Sequence, residues 1–147
     1  MKAHRKAAKM AGLIALALVA VAFTLVKNSM ATGTITKADL SGPWQLTMYS
    51  QNGCGVGTSL VTFNLNAGGT GTATIKSHSA GCGDATSTGN TFTISTLGST
   101  GSGTAGLSCG VGCGYALSIQ VSADRSTFNV VDLTDPNNFL EGVAIHQ

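Results

Sequence analysis

Charge is scarce in this chain. Charged residues make up 10% of its 147 positions. After Ala31 they are only Lys37, Lys76 and Arg125 against Asp39, Asp84, Asp124, Asp132, Asp135 and Glu141, a balance of −3. The basic excess of the whole chain, +2, therefore belongs to its first residues. With no basic patch and no aromatics interleaved with one, a nucleic-acid partner is excluded. A hydrophobic content of 43% beside so little charge also argues against disorder. Helical periodicity is absent beyond residue 31. No Cys-x-x-Cys-His is present, so covalent haem is unsupported. Beyond residue 31 only His78 and His146 remain, and no constellation of catalytic residues stands out. The expectation is a protein that is not an enzyme and carries no cofactor.

What is present begins with the N-terminus. Lys2, His4, Arg5, Lys6 and Lys9 precede an uncharged stretch from Met10 to Val26, and Ser29-Met30-Ala31 places small residues around a cut after Ala31. This is the layout of a secretory signal, residues 1–31. The rival reading is a retained anchor, because the apolar stretch reaches the lower limit of about 17 residues for a spanning helix. The bulk of the chain is exported either way, to the outside of the cell, its surface or a periplasm. The membrane is a partner only if this helix is kept. Residues 32–41 read as a polar arm or linker, and 42–147 as one domain.

Four cysteines sit in glycine-rich stretches: Gly53-Cys54-Gly55-Val56-Gly57, Gly81-Cys82-Gly83 and Cys109-Gly110-Val111-Gly112-Cys113-Gly114. In an exported domain they should form two disulfides. Of three possible connectivities, proximity favours Cys109–Cys113 within one loop and Cys54–Cys82 between two loops. A four-thiolate metal site is the competing reading; it is disfavoured because Cys54 and Cys82 stand alone and lack the usual paired spacing.

Between these loops the chain alternates apolar and polar residues with period two. Trp44, Leu46 and Met48 mark a first strand, and Val61, Phe63 and Leu65 a second. Ala73 and Ile75, Phe92 and Ile94, and Ala105 and Leu107 mark the next three. Tyr115, Leu117, Ile119 and Val121, then Phe128 and Val130, then Val143 and Ile145 mark the last three. Eight strands follow, with Thr and β-branched residues prominent, as a half-buried pleated surface prefers. If each strand pairs with the next, the short turns at 66–69, 97–101 and 122–126 share one end. The cysteine loops and Asp135-Pro136-Asn137-Asn138 share the other. Closing such a meander into an up-and-down barrel hides both sheet edges. The expected fold is therefore all-β, an eight-stranded antiparallel barrel preceded by an apolar helix.

Gly42-Pro43-Trp44, preceded by Leu40, resembles the Gly-x-Trp start of lipocalin-like and avidin-like barrels, the calycin group. The resemblance implies that Trp44 plugs the closed end of an eight-stranded up-and-down barrel. It does not carry a ligand: Trp44 is the sole tryptophan, so the tryptophan ring of avidins is missing, and the chain stops at Gln147 where lipocalins continue into a helix.

The candidate sites follow from this frame. An apolar lumen of this size is either filled by its own side chains, the favoured reading, or admits an apolar guest between the cysteine loops, with Trp44, Phe63, Tyr115, Phe128 and an inward Glu141 as contacts. A bulge or another register would instead expose Glu141. His78 beside Ser77, Ser79 and Asp84 could imitate a nucleophile–base–orienter set, but it reads better as a polar loop histidine. The residues 132–138 could offer oxygens to calcium, though they fit a plain turn. The functional expectation is an exported binding or interaction module for a small apolar ligand or a cell-surface partner. The alternative is a subunit of an extracellular layer or filament, an oligomer in which the arm, anchored by Ile35, pairs with a neighbour.

Overall fold

A computed structural model describes residues 33–110, 113–132 and 139–147. The expected leader and apolar helix fall outside the described residues, as does most of the acidic 132–138 segment. Gly33–Gln147 forms one compact unit. Its eight strands are β1 (Gly42–Asn52), β2 (Gly55–Leu65), β3 (Thr70–Ser79), β4 (Gly83–Leu97), β5 (Ser102–Ser108), β6 (Gly114–Val121), β7 (Thr127–Asp132) and β8 (Phe139–His146). Each pairs antiparallel with the next, and β8 returns to β1, so the sheet closes in meander order. Closure leaves no edge strand to recruit another chain.

The lumen at the end where β1 begins is filled by its own side chains. Trp44, Phe92 and Phe128 are among the largest residues shut off from solvent. Their rings touch: Trp44 and Phe128 lie 4.8 Å apart, Phe63 stacks on Phe92 at 4.4 Å, and Phe92 sits 5.9 Å from Phe128. Such tilted and offset contacts add about 0.5–1.5 kcal/mol per pair to the burial itself. Leu46, Val61, Ile94, Leu117 and Val130 complete the packing.

The arm is neither a free linker nor an added strand over its described part. Lys37–Leu40 forms one 3₁₀ turn. It is started by Thr36, whose amide and hydroxyl both donate to the Asp39 carboxylate at 2.8 Å. The turn drops Leu40 fully into the barrel floor, and Ile35 joins the same core. Trp44 Nε1 donates to the Leu40 carbonyl at 2.8 Å, which satisfies the buried indole. The Ile35 amide donates to Ser99 and Lys37 Nζ to the Ser95 carbonyl, tying the arm to the β4–β5 side. His146 closes the base, its ring 4.8 Å from Trp44.

Two expectations are corrected here. The first is the register of β8. Leu140 and Ala144 face inward, whereas Phe139, Val143 and Ile145 are about half exposed. Space rather than hydrophobicity decides this. Gly142 and Ala144 pair with Met48 and Leu46, and a β-carbon on Gly142 would press first on the Thr47 carbonyl and then on the side chains of Met48 and Leu46. A larger inward residue would overpack the lumen. The second is the length of β4. Gly83–Asn90 reads as loop because it lacks apolar alternation, yet its part Gly83–Ser87 pairs with Ile75–Ser79 and extends the β3–β4 hairpin beyond the packed lumen.

Candidate functional site

The other end of the barrel is built differently. The period-two pattern of the inward face continues past the apolar residues into polar ones: Met48 is followed by Ser50 and Asn52, Val61 is preceded by Ser59, and Ile75 is followed by Ser77 and Ser79. Because side chains alternate strictly between faces, these residues line the interior above the packed layer. They enclose a cup of about 270 Å³. Met48, Ile75 and Leu140 form its floor. Ser50, Ser59, Ser77 and Ser87 supply hydroxyl walls, and Cys54, Cys82, Cys109 and Tyr115 stand around the rim.

The cysteines pair as Cys54–Cys82 and Cys109–Cys113. No cysteine is free, so no thiolate site exists. Cys54–Cys82 joins the β1–β2 and β3–β4 turns with a Cα separation of 5.4 Å. Backbone bonds reinforce it: the Gly81 amide donates to the Cys54 carbonyl at 2.8 Å, and the Ala80 amide to Val56 at 3.0 Å. A β-carbon on Gly81 would press on that Cys54 carbonyl, so the two turns meet because a glycine stands there. Cys109–Cys113 closes its own turn, where the Cys109 amide also donates to the Cys113 carbonyl. Two disulfides fit an oxidising, extracellular type of environment.

The remaining sequence-derived residues separate. Trp44, Phe63 and Phe128 belong to the plugged half of the lumen, below the cup. Tyr115 is half-buried and lines the cup. Glu141 points outward, opposite Tyr49 and Val131 on the neighbouring strands, so the inward carboxylate is corrected by the register of β8. His78 Nδ1 lies 2.7 Å from Asp84 Oδ1, an exposed pair on the hairpin's outer face with side chains 70% and 88% accessible. Ser77 and Ser79 project to the opposite face of β3, so the strand separates them from that pair. His146 stands at the far end of the barrel. Among the described residues, no three of His, Cys, Asp and Glu converge to hold a metal ion.

A larger space of about 530 Å³ lies over the outside of β1, β7 and β8, beside Thr47, Tyr49, Val131, Glu141 and Val143. It is an open groove on a convex wall. The smaller cup is the better site because concavity, and not volume, is what withdraws a ligand from water.

Asn90 is the residue that sequence reasoning missed. It is the one fully buried polar side chain among the described residues, and it exchanges hydrogen bonds with Ser87 in the cup wall. The available signal was Gly89, a break in the strand that marks a bulge.

Electrostatics set the two ends apart as well. The shifted carboxylates both lie at the closed end. Hydrogen bonds from Ser122 and Ser126 hold Asp124 down at about 2, and those from Thr36 lower Asp39. Among the described residues that line the cup there is no Asp, Glu, Lys or Arg.

Compared with known proteins, the chain matches no family model, and no curated protein is significantly similar to it.

Proposed function

We propose that this protein is an exported, non-enzymatic binding module that holds a small uncharged polar ligand in the cup at the open end of its barrel. The observation that carries the reading is the division of the lumen. The apolar half is filled by side chains, while the half that is left open has hydroxyl walls on an apolar floor. An apolar guest was the expectation from the strand pattern, but the space it would need is taken by Phe63, Phe92 and Phe128. Serine hydroxyls donate and accept, and no charge lies among them, so neutral ligands with hydroxyl or amide groups suit the walls. The volume falls just below the usual range of about 300–1,000 Å³, which sets the guest at the size of a single small ring. The signal-like leader and the disulfides support secretion, or residence at a cell surface or in a periplasm.

Native mass spectrometry of unreduced protein from its source tests the reading. A monomer that releases a neutral guest on denaturation supports it. A guest that is a hydrocarbon or an ion would contradict it.

A second reading, an assembly subunit, draws on the outer apolar stripe of Tyr49, Phe139, Val143 and Ile145. The arm as a strand for a neighbour fits less well, because Ile35 is buried in the core of its own chain. A ladder of assemblies in the same spectrum would favour this reading over the first.

A further inference from the structure

The wall of the cup contains a polar pair that a β-bulge brings to one face. Ser87 and Asn90 are three residues apart on β4, so in a regular strand they would face opposite sides of the sheet. Both face inward because the register shifts between them: Asn90 pairs with Ala73, and Ser87 pairs with Ile75. Gly89, at φ +73°, allows the extra residue. The bulge thus brings both polar side chains to the lumen face.

Among the described residues, the hydrogen bonds of that pair use only part of its capacity. Asn90 Nδ2 donates to Ser87 Oγ at 3.0 Å, and Ser87 Oγ donates back to Asn90 Oδ1 over a longer 3.3 Å. A carboxamide offers two donors and two acceptor sites, so half of its capacity is unused at a position only 3% exposed. A half-satisfied buried network is worse for stability than an apolar pair of the same shape. Ser87 lines the cup and Asn90 lies behind it.

Resting on the cup reading above, we infer that Ser87 is the ligand-contacting hydroxyl and Asn90 its positioning residue, and that the ligand is a neutral hydroxyl-rich ring of monosaccharide size. Asn90 holds the Ser87 oxygen through the shorter bond, which leaves the Ser87 proton free to swing from the long bond to a ligand oxygen. Ser50, Ser59 and Ser77 meet further ring hydroxyls. The C–H face of the ring lies on Met48, Ile75 and Leu140, with Tyr115 at the rim. An acidic or basic ligand would find no countercharge among the described lining residues.

The test is NMR titration of the oxidised domain with D-glucose, D-galactose and D-mannose, one at a time, and with cyclohexanol as a ring of like size with one hydroxyl. At least one sugar should shift Ser87, Asn90 and the cup serines saturably and bind more tightly than cyclohexanol. Asn90→Leu should weaken that sugar about tenfold or more, narrow its margin over cyclohexanol, and leave the melting temperature unchanged or higher. Ser87→Ala should weaken the sugar similarly, and it serves alone if Asn90→Leu does not fold. Sugar binding that ignores both variants would overturn the assignment of Ser87 and Asn90 while the cup reading stands. A lower melting temperature in Asn90→Leu with sugar affinity intact would make the pair structural and overturn the same assignment. Binding of cyclohexanol alone would overturn the ligand class. If no probe moves a cup resonance, the inference and the cup reading both fall.

Discussion

The two ends of this barrel are made from the same eight strands and solve opposite problems. At the closed end, Trp44, Phe92 and Phe128 fill the lumen, Leu40 seals it from below, and the indole proton finds the Leu40 carbonyl. At the open end the same inward positions carry serine and asparagine, and covalent bonds hold the turns that packing cannot. Cys54–Cys82 stands where Leu40 and the arm stand at the other end. The difference shows a division of labour along each strand. Its closed-end half supplies folding free energy, and its open-end half is freed from packing because disulfides stabilise it instead.

That contrast can be broken by mutation. The largest expected loss comes from Trp44→Ala, about 3–5 kcal/mol, because it removes the plug and orphans the Leu40 carbonyl; urea unfolding measures it. If the loss were as small as that of an exposed residue, the closed end would not be the stabilising half. Next comes the double replacement of Cys54 and Cys82 by Ala. Its closed loop, at a sequence separation of 28, sets an expected cost of about 3–4 kcal/mol, against about 2 for Cys109 and Cys113. Reversal of that order would place the main staple in the wrong loop. Gly142→Val should cost about 1–3 kcal/mol by overpacking against the Thr47 carbonyl, Met48 and Leu46, whereas Val143→Thr, on the outer face, should stay within about 0.5 kcal/mol. Equal effects would contradict the register of β8.

The smallest effect is electrostatic. Asp124 titrates at about 2 when folded and at its ordinary value of 3.8 when unfolded. A depressed carboxylate stabilises above the unfolded value, and that contribution is lost as pH falls through the folded one. Asp124→Asn should therefore reduce the change in melting temperature between about pH 4 and pH 2, and leave its slope above pH 5 as it was. An altered slope near neutrality would assign the shift to another group.

Much of the architecture was legible in the sequence. Period-two alternation gave the strand count, the loop lengths gave the two ends, and the proximity of the cysteines in those loops favoured the two disulfides found. What escaped has physical causes. The β8 register was misread because Phe139, Val143 and Ile145 outrank Leu140, Gly142 and Ala144 in total hydrophobicity, while the lumen selects for small volume. The start of β4 was missed because a hairpin projecting beyond the core needs no apolar face. The 3₁₀ turn is too short for periodicity. The cup was hidden for the simplest reason: Ser50, Ser59 and Ser77 continue the inward pattern, but a search for apolar alternation stops at Met48 and Ile75. Asn90 needed the bulge, which Gly89 only hints at and the pairing with Ala73 establishes.

The central claim is that the lumen is divided into a dry, filled half and an open half with hydroxyl walls. A high-resolution crystal structure of the oxidised domain tests it most directly. The account predicts ordered water or a bound guest hydrogen-bonded to Ser50, Ser59, Ser77 and Ser87, and none between Trp44, Phe92 and Phe128. Water or guest density reaching Trp44, or a cup packed shut by its own side chains, would contradict it.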